Sequence, residues 1–128
     1  TSAADAAKVL KDPTIDCALF EVPVEVILDR GLGYEMADVG IVLNVHDEGK
    51  IYDETRRLED IAYAKSVVAE QVYDDGYALL NADDDLVFEM ADRAYGHVVL
   101  LSTDRDSQRV RRHVDRGHEV WWRGSFPD

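Results

Sequence analysis

Four short apolar runs, each parted from the next by a polar turn or a segment of helical spacing, constrain this chain more than any other feature. They are Cys17 to Phe20, Val39 to Val45, Tyr77 to Leu80 and His97 to Leu101, and a fifth, His118 to Trp122, follows near the end. Continuous apolar runs of this length predict strands buried on both faces, and β-branched residues strengthen the reading at Val39 to Val45, VGIVLNV. The central strands are expected at Ala18 to Phe20, Ile41 to Leu43, Ala78 to Leu80 and Val98 to Leu101, with His118 to Trp122 at an edge. Cys17, inside its run, is expected to be a small buried hydrophobe.

The intervening segments read as helices. Thr1 and Ser2 cap Ala3 to Leu10, and Asp12-Pro13 ends it, because the residue before proline avoids the helical region. Val24 to Arg30 is stopped by Gly31. Leu58 to Val72 carries Leu58, Ile61, Ala62, Ala64, Val68 and Val72 at near-helical spacing. Asp84 or Asp85 caps Leu86 to Tyr95, and Gly117 ends a short basic helix over Ser107 to Arg116. Asp74-Asp75-Gly76 reads as a turn, and His46 to Arg57 as a long polar surface loop. Strands alternating with such helices imply parallel pairing through right-handed crossovers. The expected fold is a three-layer α/β domain with a mainly parallel sheet.

With 128 residues, 46% of them hydrophobic, the chain suffices for one domain with a real core, 1–128. A net charge of −13 repels nucleic-acid phosphate and anionic lipid, so neither is an expected partner. No apolar segment approaches the ~20 residues of a spanning helix, and the first residues show no signal-peptide pattern; a cytoplasmic setting is the default expectation. A chain that starts at a helix cap without an initiator methionine is expected to be a fragment.

Polar residues gather at the ends of the runs. Glu21, Asn44, Asn81, Asp83 and Ser102 each fall at or near the carboxyl end of an expected strand, the edge where open α/β sheets hold ligands. Glu21, Asp47, Glu48, Lys65 and the Asn81-Ala82-Asp83-Asp84 stretch would rim such a crevice. Oxygen donors of this kind suit Mg²⁺, which is held by one or two carboxylates together with substrate phosphates. The scattered histidines, His46, His97, His113 and His118, show no zinc spacing, and no G-x-x-x-x-G-K-[ST] loop is present. Each of these residues also has an ordinary reading: a solvated carboxylate for Glu21, an exposed lysine for Lys65, a strand-end turn and helix cap for Asn81 to Asp84.

The stretches SAADAAKVLKDPTIDCALFE, ILDRGLGYEMADVGIVLNV, LEDIAYAKSVV and GYALLNADDDLVFEMADRA together resemble the central ATPase domain of the Mur ligase family, in its cyanophycin-type members. The likeness runs over nearly the whole chain. It implies a part of an ATP-dependent ligase that activates a carboxylate as an acyl phosphate for attack by an amine, with ATP and Mg²⁺ as cofactors. By position, Glu21 matches the magnesium-ligating glutamate. Lys65 matches the lysine that is carbamylated in many members and supports a second metal, and Asn81, Asp83 and Asp84 match the N-A-D-D motif on the nucleotide side.

The departures are as definite. Where cyanophycin-type members read E-T-A-R-G-G-I-L-R, this chain has Glu21-Val-Pro-Val-Glu-Val-Ile-Leu-Asp29. Val24 replaces the arginine, and Glu25 and Val26 replace two glycines. Glu48 and Gly49 stand at the family's D-H, whose histidine ligates metal, and the family's phosphate loop would precede Thr1. The resemblance therefore implies a fragment that is not catalytically competent alone and that works with the rest of a larger ligase chain or with other subunits. The alternative is a degenerate homologue kept as a structural or partner-binding domain. Trp121-Trp122 either forms a patch for self-association, giving a homo-oligomer, or packs one ring on each face of its own sheet.

Overall fold

The computed structural model describes residues 3–46 and 58–122. The chain divides into two compact units, Thr1–Met36 and Ala37–Asp128.

The first unit holds α1 (Ala3–Leu10) and α2 (Val24–Arg30). An Asx turn follows α1: Asp12 Oδ1 accepts from the Thr14 amide at 2.9 Å and from its hydroxyl at 2.7 Å. Pro23 starts α2, its carbonyl accepting from the amides of Val26 and Ile27. Gly31, at φ +73°, ends it by donating its N–H to the Ile27 carbonyl, as the glycine predicted.

Residues 17–20 form no strand, and this corrects the sequence expectation. They have no regular secondary structure, Cys17 is exposed, and Leu19 is 91% exposed. A strand exists only where a neighbour takes up its N–H and C=O groups. Among the described residues no ladder reaches this run, and four apolar residues cannot supply one. Phe20 instead stacks on Tyr34, with ring centroids 6.3 Å apart.

The second unit is the parallel sheet. Its strands are β1 (Ala37–Val42), β2 (Val72–Asn81), β3 (His97–Ser102) and β4 (Val120–Trp122), in spatial order β1-β2-β3-β4. All three ladders are parallel, consistent with the three-layer α/β class. The crossovers run through α3 (Leu58–Glu70), then α4 (Asp85–Glu89) with a 3₁₀ turn over Met90–Arg93, then α5 (Gln108–Asp115). The register aligns Val42, Leu80, Leu100 and Val120 in one row across the sheet. Leu80 and Leu100 in that row are 0% and 1% exposed, and burying each contributes about 1.5–3 kcal/mol.

Two element boundaries differ from the sequence reading for a packing reason. α3 ends at Glu70, and β2 begins at Val72, so Asp74-Asp75-Gly76 lies inside a strand. The register jumps there from Ala37↔Val72 to Val39↔Tyr77, a bulge that absorbs the turn-forming residues. Gly76 permits it: a Cβ at that position would lie 2.5 Å from the Asp38 carbonyl oxygen. The expected Leu86 to Tyr95 helix tightens instead into the 3₁₀ turn at Met90. At the β4 edge Trp121 and Trp122 are 60% and 40% exposed, so neither ring is buried in the sheet.

Candidate functional site

The carboxyl edge of the sheet is built around the Asn81-Ala82-Asp83-Asp84 turn, where β2 hands over to α4. Asn81 closes the turn on itself, its Oδ1 accepting from the Asp83 amide at 3.0 Å. Its Nδ2 reaches across to the Leu43 carbonyl, just past the end of β1, at 2.8 Å. Asp84 caps α4 through Oδ1, which accepts from the Val87 amide at 3.1 Å, as a carboxylate at a helix start should. Its second oxygen accepts from the Val45 amide at 2.9 Å. Lys65, half-buried on α3, points its Nζ at the Asn44 carbonyl at 3.4 Å. Three consecutive residues after β1 are thus gripped by Asn81, Lys65 and Asp84.

Asp83 turns the other way. Its Oδ1 accepts from the Ser102 hydroxyl at 2.5 Å, and its Oδ2 accepts from the Thr103 amide at 2.7 Å and the Thr103 hydroxyl at 2.8 Å. Ser102 is buried at the end of β3, and its oxygen also accepts from the Asp104 amide. Partial burial by itself would raise the Asp83 carboxyl. The hydrogen bonds from Ser102 and Thr103, with the nearby charge of Arg109, hold it below the usual carboxylate value instead.

Arg109 was not legible as part of this edge, because in the sequence it is one cation in a basic helix. From α5 its Nη1 donates to the Ala82 carbonyl at 2.9 Å and its Nη2 pairs with Asp85 at 2.6 Å. Its guanidinium lies 4.6 Å from the centre of the Phe88 ring. Thr103 was missed for a similar reason: its N–H and its hydroxyl meet Asp83 across 20 positions of sequence, a pairing that no local pattern signals.

The structure therefore brings Lys65, Asn81, Asp83, Asp84 and Ser102 to one sheet edge. Glu21 lies in the first unit, exposed, in irregular chain ahead of Pro23; the strand expected to precede it is absent. Val24, read from the sequence as replacing an arginine, is 4% exposed at the start of α2, a buried apolar side chain. Asp47, Glu48 and Gly49 lie outside the described residues, and His46 is exposed. Among the described residues no three His, Cys, Asp or Glu side chains converge to hold a metal ion. No helix among them is long and apolar enough to cross a membrane.

Comparison with known proteins gives this edge a lineage. The chain is 42% identical over 109 residues to cyanophycin synthetase of Trichormus variabilis, and 40% identical over 116 residues to that of Synechocystis sp.. The chain is related to a part of cyanophycin synthetase. The matched stretches take up 85% and 91% of this chain, but only 12% and 13% of those two proteins. A third, from Crocosphaera subtropica, is 42% identical over 111 residues, 87% of this chain and 13% of that protein. The likeness to cyanophycin synthetase thus reaches into both units, since 109 residues exceed the length of either. No protein-family model matches the chain.

Proposed function

We propose that this chain is a segment of an ATP-dependent, amide-forming ligase of the Mur type, and that it does not complete a catalytic site by itself. The observation that carries the reading is the relation to cyanophycin synthetase at about 40% identity over most of the chain, with Lys65, Asn81, Asp83 and Asp84 at one carboxyl edge. Edges of this kind are where open parallel sheets hold nucleotides. In such a ligase Mg-ATP phosphorylates a carboxylate, and an amine displaces the phosphate to leave an amide. Asn81, Asp83 and Asp84 stand on the nucleotide side, Lys65 beside them, and Glu21 is the carboxylate assigned to magnesium. The described residues do not by themselves make a metal centre from three or more protein ligands.

What supports incompetence of the isolated chain is chemical. Its sequence contains no loop of the G-x-x-x-x-G-K-[ST] type, which would supply several N–H donors and a lysine to phosphate. Val24 is a buried apolar residue in the arginine's place. Isothermal titration of this chain with Mg-ATP tests the point. Binding weaker than about 100 µM is expected, and a dissociation constant of a few micromolar, about −7 to −8 kcal/mol, would refute it. A second reading, a degenerate homologue that serves as a structural or partner-binding domain, draws on the same buried Val24. ATP turnover by a longer chain that includes this segment separates the two: the ligase reading requires it, and the degenerate reading forbids it.

A further inference from the structure

Every carboxylate oxygen of the acidic pair in the N-A-D-D turn accepts from protein: both of Asp84 from backbone amides, those of Asp83 from the Thr103 amide and the Ser102 and Thr103 hydroxyls. Asp84 holds the amide of Val45 on one side, and Asp83 holds the amide of Thr103 on the other, from adjacent positions facing opposite neighbours of β2. Val45 is 7% exposed, so its N–H has little access to water in place of the carboxylate. Asn81 and Lys65 take the two carbonyls before it, Leu43 and Asn44. β1 ends at Val42, so Leu43 to Val45 keep their backbone direction through side chains from β2, α3 and the turn rather than through a ladder. Arg109 closes the arrangement from α5 by fixing the Ala82 carbonyl and Asp85.

We infer that Asp84 and Asp83 are positioning residues, which set the directions in which the chain leaves β1 and β3 at the site edge, and that they do not themselves bind the nucleotide. This rests on the reading of that edge as a ligase site. Two carboxylates with every oxygen already accepting from protein would also repel phosphate if aimed at it, whereas turned sideways they brace the groups around it. The consequence is specific: loss of the brace misplaces whatever the flanking segments carry, so the chemical step suffers while nucleotide affinity does not.

Asp84→Ser separates the two functions of that carboxylate, because serine still caps a helix but cannot also reach Val45. Amide hydrogen exchange on this chain should show Val45 exchanging at least about tenfold faster in the variant, with Val87 unchanged. In a longer, ATP-hydrolysing chain containing this segment, the same variant should lower kcat roughly 10- to 100-fold with the KM for ATP within about twofold of the parent. Asp84→Asn, which keeps one acceptor oxygen, should recover part of the loss. An unchanged Val45 exchange rate overturns the inference, and so does a raised KM for ATP at unchanged kcat, the signature of direct nucleotide contact. If the longer parent chain turns over no ATP at all, the ligase reading fails by itself, and the exchange measurement still decides whether Asp84 holds the segment after β1.

Discussion

Replacing Gly40 with alanine tests how closely α3 must approach β1 for Lys65 to reach the site edge. A Cβ at Gly40 would lie 2.4 Å from the Val68 carbonyl oxygen and 2.9 Å from Val72 Cγ2. The first of these is backbone inside α3, so the methyl cannot be accommodated by a side-chain rotation; the helix must lift. Overpacking of this kind costs about 1–3 kcal/mol. About 0.4–1 kcal/mol returns through the reduced freedom of the unfolded chain, which leaves a net loss of about 1.3 kcal/mol at the midpoints of the two ranges. For a unit of this size that lowers Tm by roughly 5–10 °C. Thermal and urea unfolding followed by far-UV circular dichroism measures it directly. Lifting α3 also opens the 3.4 Å contact from Lys65 to the Asn44 carbonyl, so exchange in the segment after β1 should rise as well. A variant as stable as the parent, at unchanged urea slope, would show that the helix and strand are not in close contact and would refute the packing argument.

Two pH dependences follow from the shifted groups. The Asp83 carboxyl is held below its unfolded value of about 3.9, so its stabilisation is complete above that pH and is lost as pH falls through the folded value. Asp83→Asn should therefore lower Tm at neutral pH and flatten the acid limb below about pH 4; a parallel acid limb in both proteins would count against it. Burial chiefly depresses the His113 imidazole, opposed by the Val98 carbonyl at 2.9 Å and reinforced by the charges of His118 and Arg116. The folded state then binds fewer protons than the unfolded one, so stability is full above about pH 6.5 and declines as pH falls below it. His113→Gln should reduce that decline below about pH 6.5, measured as Tm against pH, and an undiminished slope would exclude His113 as its source.

Residues differ in how much of this they announce in sequence. β3 was legible almost to its ends, because HVVLL is a continuous apolar run whose neighbours on both sides are strands. The cap of α4 was legible as Asp84 or Asp85, since capping is a local matter of one side chain and an amide three residues on; the structure selects Asp84. The partner of its other oxygen was not legible, because Val45 lies 39 positions away and is engaged through an N–H that every residue but proline possesses. The run at residues 17–20 misled for the complementary reason. Apolar composition states that a strand there would be buried, but not that a partner edge exists to pair with it.

By itself, then, the sequence determined what depends on neighbours within a few positions: the alternation of buried strand and amphipathic helix, the parallel α/β class, the stop at Gly31 and a cap at Asp84 or Asp85. Tertiary structure alone decided what depends on which backbone groups meet across the sheet edge. It absorbed a turn-forming Asp74-Asp75-Gly76 into a bulge of β2, left Trp121 and Trp122 both exposed, and recruited Arg109 from a basic helix. It also turned Asp83 and Asp84 to opposite neighbours. A carboxylate's identity fixes that it must find donors; only the register of three parallel strands fixes which donors come within 3 Å of it.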